Sequence, residues 1–451
     1  MKQFSADKLS LEIVDIAFPD GFGVAKTGDR VCFVPGALPG DIVRVRIARQ
    51  SKRFCFAEMT DIEGRSPFRV DPLCPHAGTC GGCVFQGLQY EKQLELKQNY
   101  LLQTLRRIGN VPLETADVSP ILPSVDHYYY RSKVELFFEA HGSAIGFRER
   151  VSPFERYTGR LVPVRQCPIF STTLERLLPL FSEYAGRIHA AGSRKNPGGA
   201  ALKKLIVRET KRDKKVMLVL VVEGRTVTEL PWLLRQLQNR VPEVASFWTA
   251  INGKRELLFG STHIEEMLGS FRFRVYPQTF FQPNTHMAEK LYQAIAGLCQ
   301  GPGIERVLGL YCGAGPIEIS LSPYVREIAA VDSERENIAA AVENCRINEV
   351  RNCRFERQEA EQASALFSSG SFDLLVIDPP RGGLTPEALR FVIGLDAPRL
   401  VYVSCNPSTL ARDLKILADA KSVPKKIVPF DFFPHGAHME TLVLLEKIGK
   451  S

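Results

Sequence analysis

The spacing of hydrophobic and polar positions changes twice along this 451-residue chain. Over residues 9–69, short runs of alternating apolar and polar residues are separated by glycine-rich turns, which predicts a small antiparallel β-barrel. Residues 90–109 have apolar positions at helical spacing and end at a glycine, so they predict a helix. The proline-containing stretch 111–126 indicates a linker, and further β-like segments continue to about residue 283.

From about residue 284 the pattern alternates between helix and strand. MAEKLYQAIAGLC predicts a helix, VLGLYCGAG a strand that enters a glycine turn, and LVYVSCNP a strand that ends at a proline. Such alternation implies a mostly parallel sheet wrapped by helices. We therefore predict a multi-domain α/β protein with an OB-like β-barrel over residues 1–70, a mostly-β central domain over 71–283 and a doubly wound domain over 284–451.

Composition favours a globular chain, with 45% hydrophobic and 24% charged residues. The first residues contain no apolar run between a basic start and a small-residue cleavage site. No later stretch approaches the roughly 18 apolar residues of a membrane-spanning helix. We therefore expect a cytoplasmic protein without a membrane partner, and nothing in the sequence indicates an obligate protein partner.

The formal net charge is +8, and two segments concentrate the positive charge. Residues 193–215 contain nine Lys or Arg against two acids, which fits a phosphate-contacting surface and a solvated hairpin rim equally well. The second segment lies on the predicted barrel, where its basic and aromatic residues suit a nucleic-acid strand, although a solvated barrel face explains them too. They are Arg44, Arg46, Arg49, Lys52, Arg53, Phe54 and Phe56.

The eleven cysteines are odd in number and scattered along the chain, which argues against a disulfide framework. Cys74, Cys80 and Cys83 lie close together in CPHAGTCGGC. Thiolates so close repel one another unless a cation offsets their charge, so we predict a metal site. We choose Cys167, beside a proline at a strand end, as the fourth ligand, and interpret His76 as a surface residue. Spacing alone leaves zinc and an iron-sulfur cluster open.

The stretch VLGLYCGAG combines a strand with a turn that carries Gly313 and Gly315. Glycines at such a turn let the backbone approach a ligand closely. Asp332 follows about 20 residues after the turn, at the end of the next strand, where a carboxylate suits two ribose hydroxyls. Together they predict an adenosyl or nucleotide ligand.

Three further residues lie at predicted strand ends in the same domain. Asp378 precedes two prolines, which force the chain to leave the sheet and expose this carboxylate. Cys405 lies between the strand VYVS and a helix start, and Glu440 precedes the strand TLVLLE. Cys405 alone fits a buried small hydrophobe. A thiol nucleophile with a carboxylate base, beside a cofactor turn, instead favours covalent catalysis with a separate proton abstraction.

These motifs together closely resemble the family of RNA uracil-5 methyltransferases that use S-adenosylmethionine, in the subgroup with an N-terminal TRAM domain and a [4Fe-4S] cluster. The resemblance covers essentially the whole chain. GFGVAKTGDRVCFVPGALPGD is similar to TRAM, while TFFQPN, LYCGAG, IDPPRGG, VSCNPSTLARD and HMET are similar to the methyltransferase motifs in their usual order. The resemblance implies a Rossmann-like methyltransferase domain over residues 284–451.

The resemblance also implies roles for single residues. Cys405 would be the nucleophile that adds to carbon 6 of uracil, and Glu440 the base that removes the carbon 5 proton. The four cysteines would ligate a [4Fe-4S] cluster rather than zinc. The cofactor contacts would come from Gln282, Tyr311, Gly313, Gly315, Asp332 and Asp378. RNA would be the partner, with 23S ribosomal RNA preferred by family analogy and tRNA as the alternative.

Two positions depart from the family pattern. Members commonly carry an acid at the position of Gly309 and often Asn at that of Pro316, so one polar contact near the methionine moiety is missing. The mechanism also needs a thiolate near neutral pH, so we expect a lowered pKa for Cys405, with Arg381 and Arg412 as candidate sources of positive potential. The target base is expected to be flipped out of a loop.

Two rival functions stay open at this stage. The first is a non-catalytic RNA-binding or ribosome-assembly protein that keeps the fold; the glycine at 309 favours it, and the presence of Cys405 and Glu440 argues against it. The second is a zinc-bearing methyltransferase that acts on proteins or small molecules.

Overall fold

The computed structural model describes residues 9–140, 142–150, 159–195, 201–224, 228–300 and 303–448, without the side chains of 190–195 and 365. Three large sheets follow one another along the chain, with a separate two-stranded hairpin between the second and third. Within these ranges no helix is both long enough and apolar enough to cross a bilayer.

The first sheet has six strands in the order β1-β5-β6-β4-β3-β2. Alternate residues point inward, so that Val43 and Val45 of one strand and Cys55 and Ala57 of the next share a small apolar core. The predicted antiparallel pattern is correct except for one pair, β4 and β6, which run parallel. The strands are β1 (Leu9–Glu12), β2 (Asp15–Ala17), β3 (Phe22–Thr27), β4 (Arg30–Val34), β5 (Ile42–Gln50) and β6 (Phe54–Gly64).

Helix α1 (Tyr90–Arg107) and the short strand β7 (Asp117–Val118) follow the first sheet. The helix buries Leu101 and Leu105 in the core of the third sheet. Strand β7 pairs in parallel with the edge of that sheet at Ile427. The prediction of a linker over 111–126 is therefore wrong, because this stretch belongs to the third sheet.

The central sheet has seven strands in the order β10-β9-β8-β11-β12-β13-β14. Two helices pack on it, and side chains such as Leu177 and Phe181 meet Leu218 and Phe247 of the strands. The elements are β8 (Lys133–Phe138), β9 (Ile145–Arg148), β10 (Leu161–Pro163), α2 (Thr173–Lys195), β11 (Ala201–Glu209), β12 (Val216–Glu223), α3 (Leu230–Arg240), β13 (Val244–Ile251) and β14 (Lys254–Gly260), followed by the hairpin β15 (Ile264–Leu268) and β16 (Phe271–Val275).

The third sheet has eight strands in the order β19-β18-β17-β20-β21-β23-β22-β7. Its parallel strands are buried on both faces by helices, which explains continuous apolar runs such as 374–377. The elements are α4 (Thr285–Cys299), β17 (Arg306–Leu310), α5 (Pro316–Leu321), β18 (Glu327–Asp332), α6 (Arg335–Ile347), β19 (Cys353–Arg357), β20 (Leu374–Ile377), α7 (Pro386–Gly394), β21 (Arg399–Ser404), α8 (Pro407–Asp419), β22 (Ser422–Phe430) and β23 (Glu440–Lys447).

Candidate active site

The predicted site residues of the third sheet lie at one edge. Strands β17, β18, β20 and β21 run parallel, so their carboxyl ends meet at the same side. Tyr311, Asp378 and Cys405 directly follow three of these strands, and Asp332 ends the fourth. This edge is where open α/β sheets bind their ligands.

The glycine turn after β17 has the conformation that the sequence predicts. Gly313 and Gly315 have φ angles of +54° and +77°, which favour glycine. A Cβ on Gly315 would approach the ring of Phe355 to 2.9 Å, whereas nothing lies within 4 Å of one on Gly313. The turn is therefore packed against the protein on one side and open on the other, which leaves room for a ligand against its backbone.

Asp332 holds this turn in place. Its carboxylate accepts hydrogen bonds from the backbone N–H of Gly313 at 2.9 Å, the backbone N–H of Glu334 at 2.9 Å and the side-chain amide of Asn337 at 3.0 Å. A carboxylate oxygen offers more than one lone pair. Asp332 can therefore shape the glycine turn and still accept hydrogen bonds from a ligand.

Cys405 and Glu440 are brought together by an antiparallel pair of strands. Ser404 of β21 lies opposite Thr441 of β23. The next residues at this end of the two strands are Cys405 and Glu440, and the charge of Glu440 acts on the Cys405 thiol. Glu440 is 4% exposed and Cys405 is half-buried. The pairing predicted from sequence, a thiol with a neighbouring carboxylate, is present at the sheet edge.

The expectation that the Cys405 pKa is lowered is wrong for the free protein. Burial and the nearby Glu440 raise the pKa of the Cys405 thiol to about 12, although Arg381 opposes this shift. Burial and the charge of Asp378 also raise the pKa of Glu440 well above its usual range. Burial alone raises the pKa of Asp378 to about 7. At this edge of the sheet, carboxyl groups therefore outweigh cationic side chains.

Arg381 and Arg412, the two candidate sources of positive potential, form different hydrogen bonds. Arg412 donates hydrogen bonds to the Asp413 carboxylate and to the carbonyl oxygens of Gly382 and Leu384, so it fixes the loop after Asp378. Of the two arginines, Arg381 is the one among the main charges that act on Cys405. The carbonyl oxygen of Arg381 accepts a hydrogen bond from the Asn406 side chain at 3.1 Å. That bond joins the loop to the start of α8, next to Cys405.

The segment TFFQPN enters the site from the other direction. Gln282 is buried, and the Asn284 side chain caps α4 by accepting a hydrogen bond from the Met287 N–H at 3.2 Å. Phe280, two residues before Gln282, is 59% exposed. An exposed aromatic ring beside the candidate cofactor residue suits base stacking. Phe280 belongs to the TFFQPN motif, but the motif alone does not show that its ring is exposed.

The four candidate metal ligands line one cavity of about 410 Å³. Charges on Cys74, Cys80 and Cys83 all influence Cys167, and together with burial they raise the pKa of the Cys167 thiol to about 12. Within the described ranges, no three Cys, His, Asp or Glu side chains form a group close enough to hold a metal ion. The four thiols share one cavity without forming such a group, so the cluster stays a prediction.

The same cavity reaches the loops of the third sheet, because its lining also includes Arg381, Phe433 and His438. Burial and nearby cations lower the pKa of His438 to about 4, so its ring is neutral at physiological pH. His76 also lines the cavity. Its ring nitrogen accepts a hydrogen bond from the Arg165 N–H at 3.4 Å.

The basic segment over 193–215 is only partly exposed. Residues 196–200 and the side chains of Arg194 and Lys195 lie outside the described residues. Arg208 is buried and donates to the carbonyl oxygen of Thr279 at 2.6 Å. Lys211 is buried and donates to the carbonyl oxygen of Tyr129 at 2.9 Å. These two cations serve the fold, which weakens the phosphate-surface interpretation.

Comparison with known proteins agrees with this architecture. Residues 248–448 match the family described as tRNA (uracil-5-)-methyltransferase, and residues 8–60 match the TRAM domain. A solved structure of Pyrococcus abyssi tRNA (uracil-54, C5)-methyltransferase in complex with S-adenosyl-L-homocysteine is similar, with a TM-score of 0.75 and 27% identity. The match covers 97% of this chain and 100% of that one.

Curated relatives are similar over nearly the whole length. A protein of Clostridium acetobutylicum, named an uncharacterized RNA methyltransferase, is 31% identical over 95% of both chains. One of Gloeobacter violaceus with the same description is 32% identical over 95% of this chain and 94% of its own. The chain therefore belongs to the family of RNA uracil-5 methyltransferases and carries a TRAM domain at its N-terminal end.

Proposed function

We propose that the chain methylates carbon 5 of a uridine in RNA, with S-adenosylmethionine as the methyl donor. One observation carries the proposal: Cys405 and Glu440 occupy neighbouring strand ends at the sheet edge that also carries the glycine turn. Bound S-adenosylmethionine would supply an electrophilic methyl group. Gln282, Tyr311, Asp332 and Asp378 would bind it, together with the turn of Gly313 and Gly315.

The chemistry follows from the weak nucleophilicity of carbon 5. The Cys405 thiolate adds to carbon 6, which pushes electrons toward carbon 5 so that this carbon can take the methyl group of the donor. The donor's sulfur would leave with the bonding electrons as the thioether S-adenosylhomocysteine. Glu440 then takes the carbon 5 proton, and the carbon–sulfur bond breaks to restore the ring and the thiolate. Glu440 is nearly fully buried, so its raised pKa makes its carboxylate a stronger base than one in water.

Trapping with 5-fluorouridine tests this mechanism. Fluorine at carbon 5 cannot leave as a proton does, so RNA that carries it at the target should form a stable covalent complex with the enzyme. We expect this complex on a denaturing gel with the wild-type chain and with the control Cys299→Ala, which removes a buried thiol of α4 outside the site. Cys405→Ala should form none.

Glu440→Gln tests the second step. It should methylate the RNA and remain attached to it, because no base removes the proton, and turnover should fall by roughly 10²- to 10⁴-fold. Methylated RNA produced at an unchanged rate by Cys405→Ala would overturn the mechanism. Loss of methylation with retained RNA binding in that variant would exclude the non-catalytic rival.

The cysteine cavity supports a second element of the proposal. Cys74, Cys80, Cys83 and Cys167 would hold the [4Fe-4S] cluster, whose charge would offset the repulsion of four thiolates. A structural role for the cluster fits the position of the cavity between the central sheet and the third sheet.

The most specific part of the proposal is the class of RNA that serves as substrate. The resemblance of TRAM and cluster motifs favours 23S ribosomal RNA, while the similar Pyrococcus abyssi enzyme acts on tRNA. Mapping 5-methyluridine in both RNA classes from cells with and without the chain distinguishes the two. Loss of the modification from neither class would overturn the substrate assignment.

A further inference from the structure

Glu318 is a buried acid that the mechanism above does not use. It lies on α5, directly after the glycine turn, and is 2% exposed. Its Oε2 atom has no hydrogen-bond partner within the described part of the chain. A buried carboxylate oxygen without a partner costs free energy, so such a group calls for an explanation in terms of a ligand.

The Glu318 carboxylate occupies the space in which a side chain at position 309 would begin. A Cβ built on Gly309 would overlap Oε1 of Glu318 and lie 3.1 Å from its carboxyl carbon. Gly309 is in the middle of β17 with an extended backbone that any residue adopts, so glycine is not needed there for conformation. It is needed because the Glu318 carboxyl group lies where a side chain at 309 would begin.

The surroundings of Glu318 are acidic. Burial and the charges of Asp378 and Asp332 raise the pKa of Glu318 to about 8, and no cationic side chain of the described residues contributes to this shift. The buried Tyr292 of α4 is influenced by Asp378, Glu318 and Glu440 together. Glu318 thus lies among carboxyl groups, and Asp378 and Asp332 are the charged side chains that shift its pKa, as expected for a site whose cation arrives with the ligand.

We propose that Glu318 is a cofactor-binding residue whose free oxygen accepts a hydrogen bond from the α-ammonium group of S-adenosylmethionine. The assignment rests on the proposed function, which supplies this cofactor. The ligand carries two cations, and hydrogen bonding distinguishes them: an ammonium donates hydrogen bonds, whereas a sulfonium has none to donate. Because it overlaps position 309, Glu318 supplies from α5 the carboxylate that β17 lacks.

Three ligands separate the possible roles of Glu318. S-adenosylmethionine has both cations, S-adenosylhomocysteine keeps only the ammonium, and 5′-methylthioadenosine has neither. We expect Glu318→Gln to lower the affinity for S-adenosylmethionine and S-adenosylhomocysteine by a similar factor, roughly 10- to 100-fold. The affinity for 5′-methylthioadenosine should stay within about twofold of the wild-type value. Titration calorimetry of the full chain measures all three without requiring turnover.

A relocation variant provides the matched control. Glu318→Thr should lower the affinity for S-adenosylmethionine and S-adenosylhomocysteine as Glu318→Gln does. It also removes the carboxyl group from the space next to Gly309. The double variant Gly309→Asp with Glu318→Thr should restore most of the lost affinity, because the new carboxyl group starts from the place that Glu318 leaves. Gly309→Asp alone should lower the melting temperature, since two carboxyl groups would then compete for one space.

Each other outcome overturns the assignment. An equal loss of affinity for all three ligands would mean that Glu318 only supports the fold. A loss of affinity for S-adenosylmethionine alone would mean that Glu318 pairs with the sulfonium. Unchanged affinity for all three would remove any role in binding. A wild-type chain that fails to bind S-adenosylmethionine would overturn the proposed function itself, which is a separate result.

Discussion

Glu440 raises the pKa of the Cys405 thiol, and Arg381 lowers it. Burial adds to the effect of Glu440, so the free protein holds a protonated thiol at neutral pH. A thiolate forms only when the balance of charge at the sheet edge changes. Binding of a cationic cofactor among these carboxyl groups is such a change, which would couple cofactor binding to activation of the nucleophile.

We expect alkylation of Cys405 by iodoacetamide to accelerate roughly tenfold per pH unit and to be still rising at pH 10, because the reagent reacts with the thiolate. Mass spectrometry of the peptide that contains Cys405 measures the rate. At pH 9, Glu440→Gln should react faster than the wild type, because it removes the negative charge that raises the thiol pKa. A plateau below pH 9 in the wild type would contradict the raised pKa.

Local motifs were enough to place Cys405 and Glu440 at strand ends, which is where they lie. They were not enough for the state of the thiol, which depends on burial and on charges brought together by the fold. Arg412 follows Cys405 closely in sequence, yet its guanidinium is used by Asp413 and two carbonyl oxygens. Glu318 was not singled out, since no sequence pattern shows that its carboxyl group occupies the space of a Cβ at position 309.

Among the elements, helix α1 has an unusual buried cation. The side chain of Lys97 is fully buried, and its Nζ donates hydrogen bonds to the Asp431 carboxylate at 2.5 Å and to the carbonyl oxygen of Phe433 at 2.9 Å. The Tyr90 hydroxyl donates to the other Asp431 oxygen at 2.8 Å. The ion pair fixes α1 to the segment between β22 and β23, which leads to Glu440.

Replacing Lys97 by methionine should destabilise the chain by about 3–5 kcal/mol, because Asp431 then remains buried without a cation. The midpoint of denaturant-induced unfolding measures the change. The double variant Lys97→Met with Asp431→Asn should recover part of the loss, since it removes the buried charge as well. If the single and double variants unfold at the same denaturant concentration, the ion pair does not stabilise the fold in this way.

The regular elements were predictable where their apolar period is long, as in α1, α4 and α6. The stretch 111–126 was not, because β7 has two residues and is defined only by its pairing with β22. The partner of Lys97 is 334 residues away, so no local pattern could show it. The parallel pair of β4 and β6 was missed for the same reason: its pairing is not visible in the alternation of either strand.

At the scale of the whole molecule, the cysteine cavity lies where three parts of the chain meet. The loop of Cys74, residues in and next to β8 of the central sheet, and the third-sheet loop residues Arg381 and His438 all contribute to its lining. Arg381 also influences Cys405. A cluster held by the four thiols would therefore support the wall of the catalytic site without taking part in the reaction.

Cys80→Ser should reduce the iron content of anaerobically purified protein to below about a tenth of the wild-type value and lower the melting temperature, because metal binding and folding are coupled. Iron analysis and the visible absorption spectrum measure the first effect. Cys299→Ala, outside the cavity, should retain its iron. Iron content that is the same in both variants, or zinc in place of iron, would contradict the proposed ligand set.

The packing of α1 has a practical consequence for anyone who wishes to divide the gene. The methyltransferase core includes Leu101, Leu105, Val111 and Leu113, all of which precede residue 284. A fragment expressed from residue 284 would expose the apolar surface that these four side chains cover, and it would lack the strand that closes one sheet edge. Fragments for crystallisation or screening should therefore begin before Tyr90, and the catalytic half of this enzyme is best regarded as two separated stretches of one polypeptide.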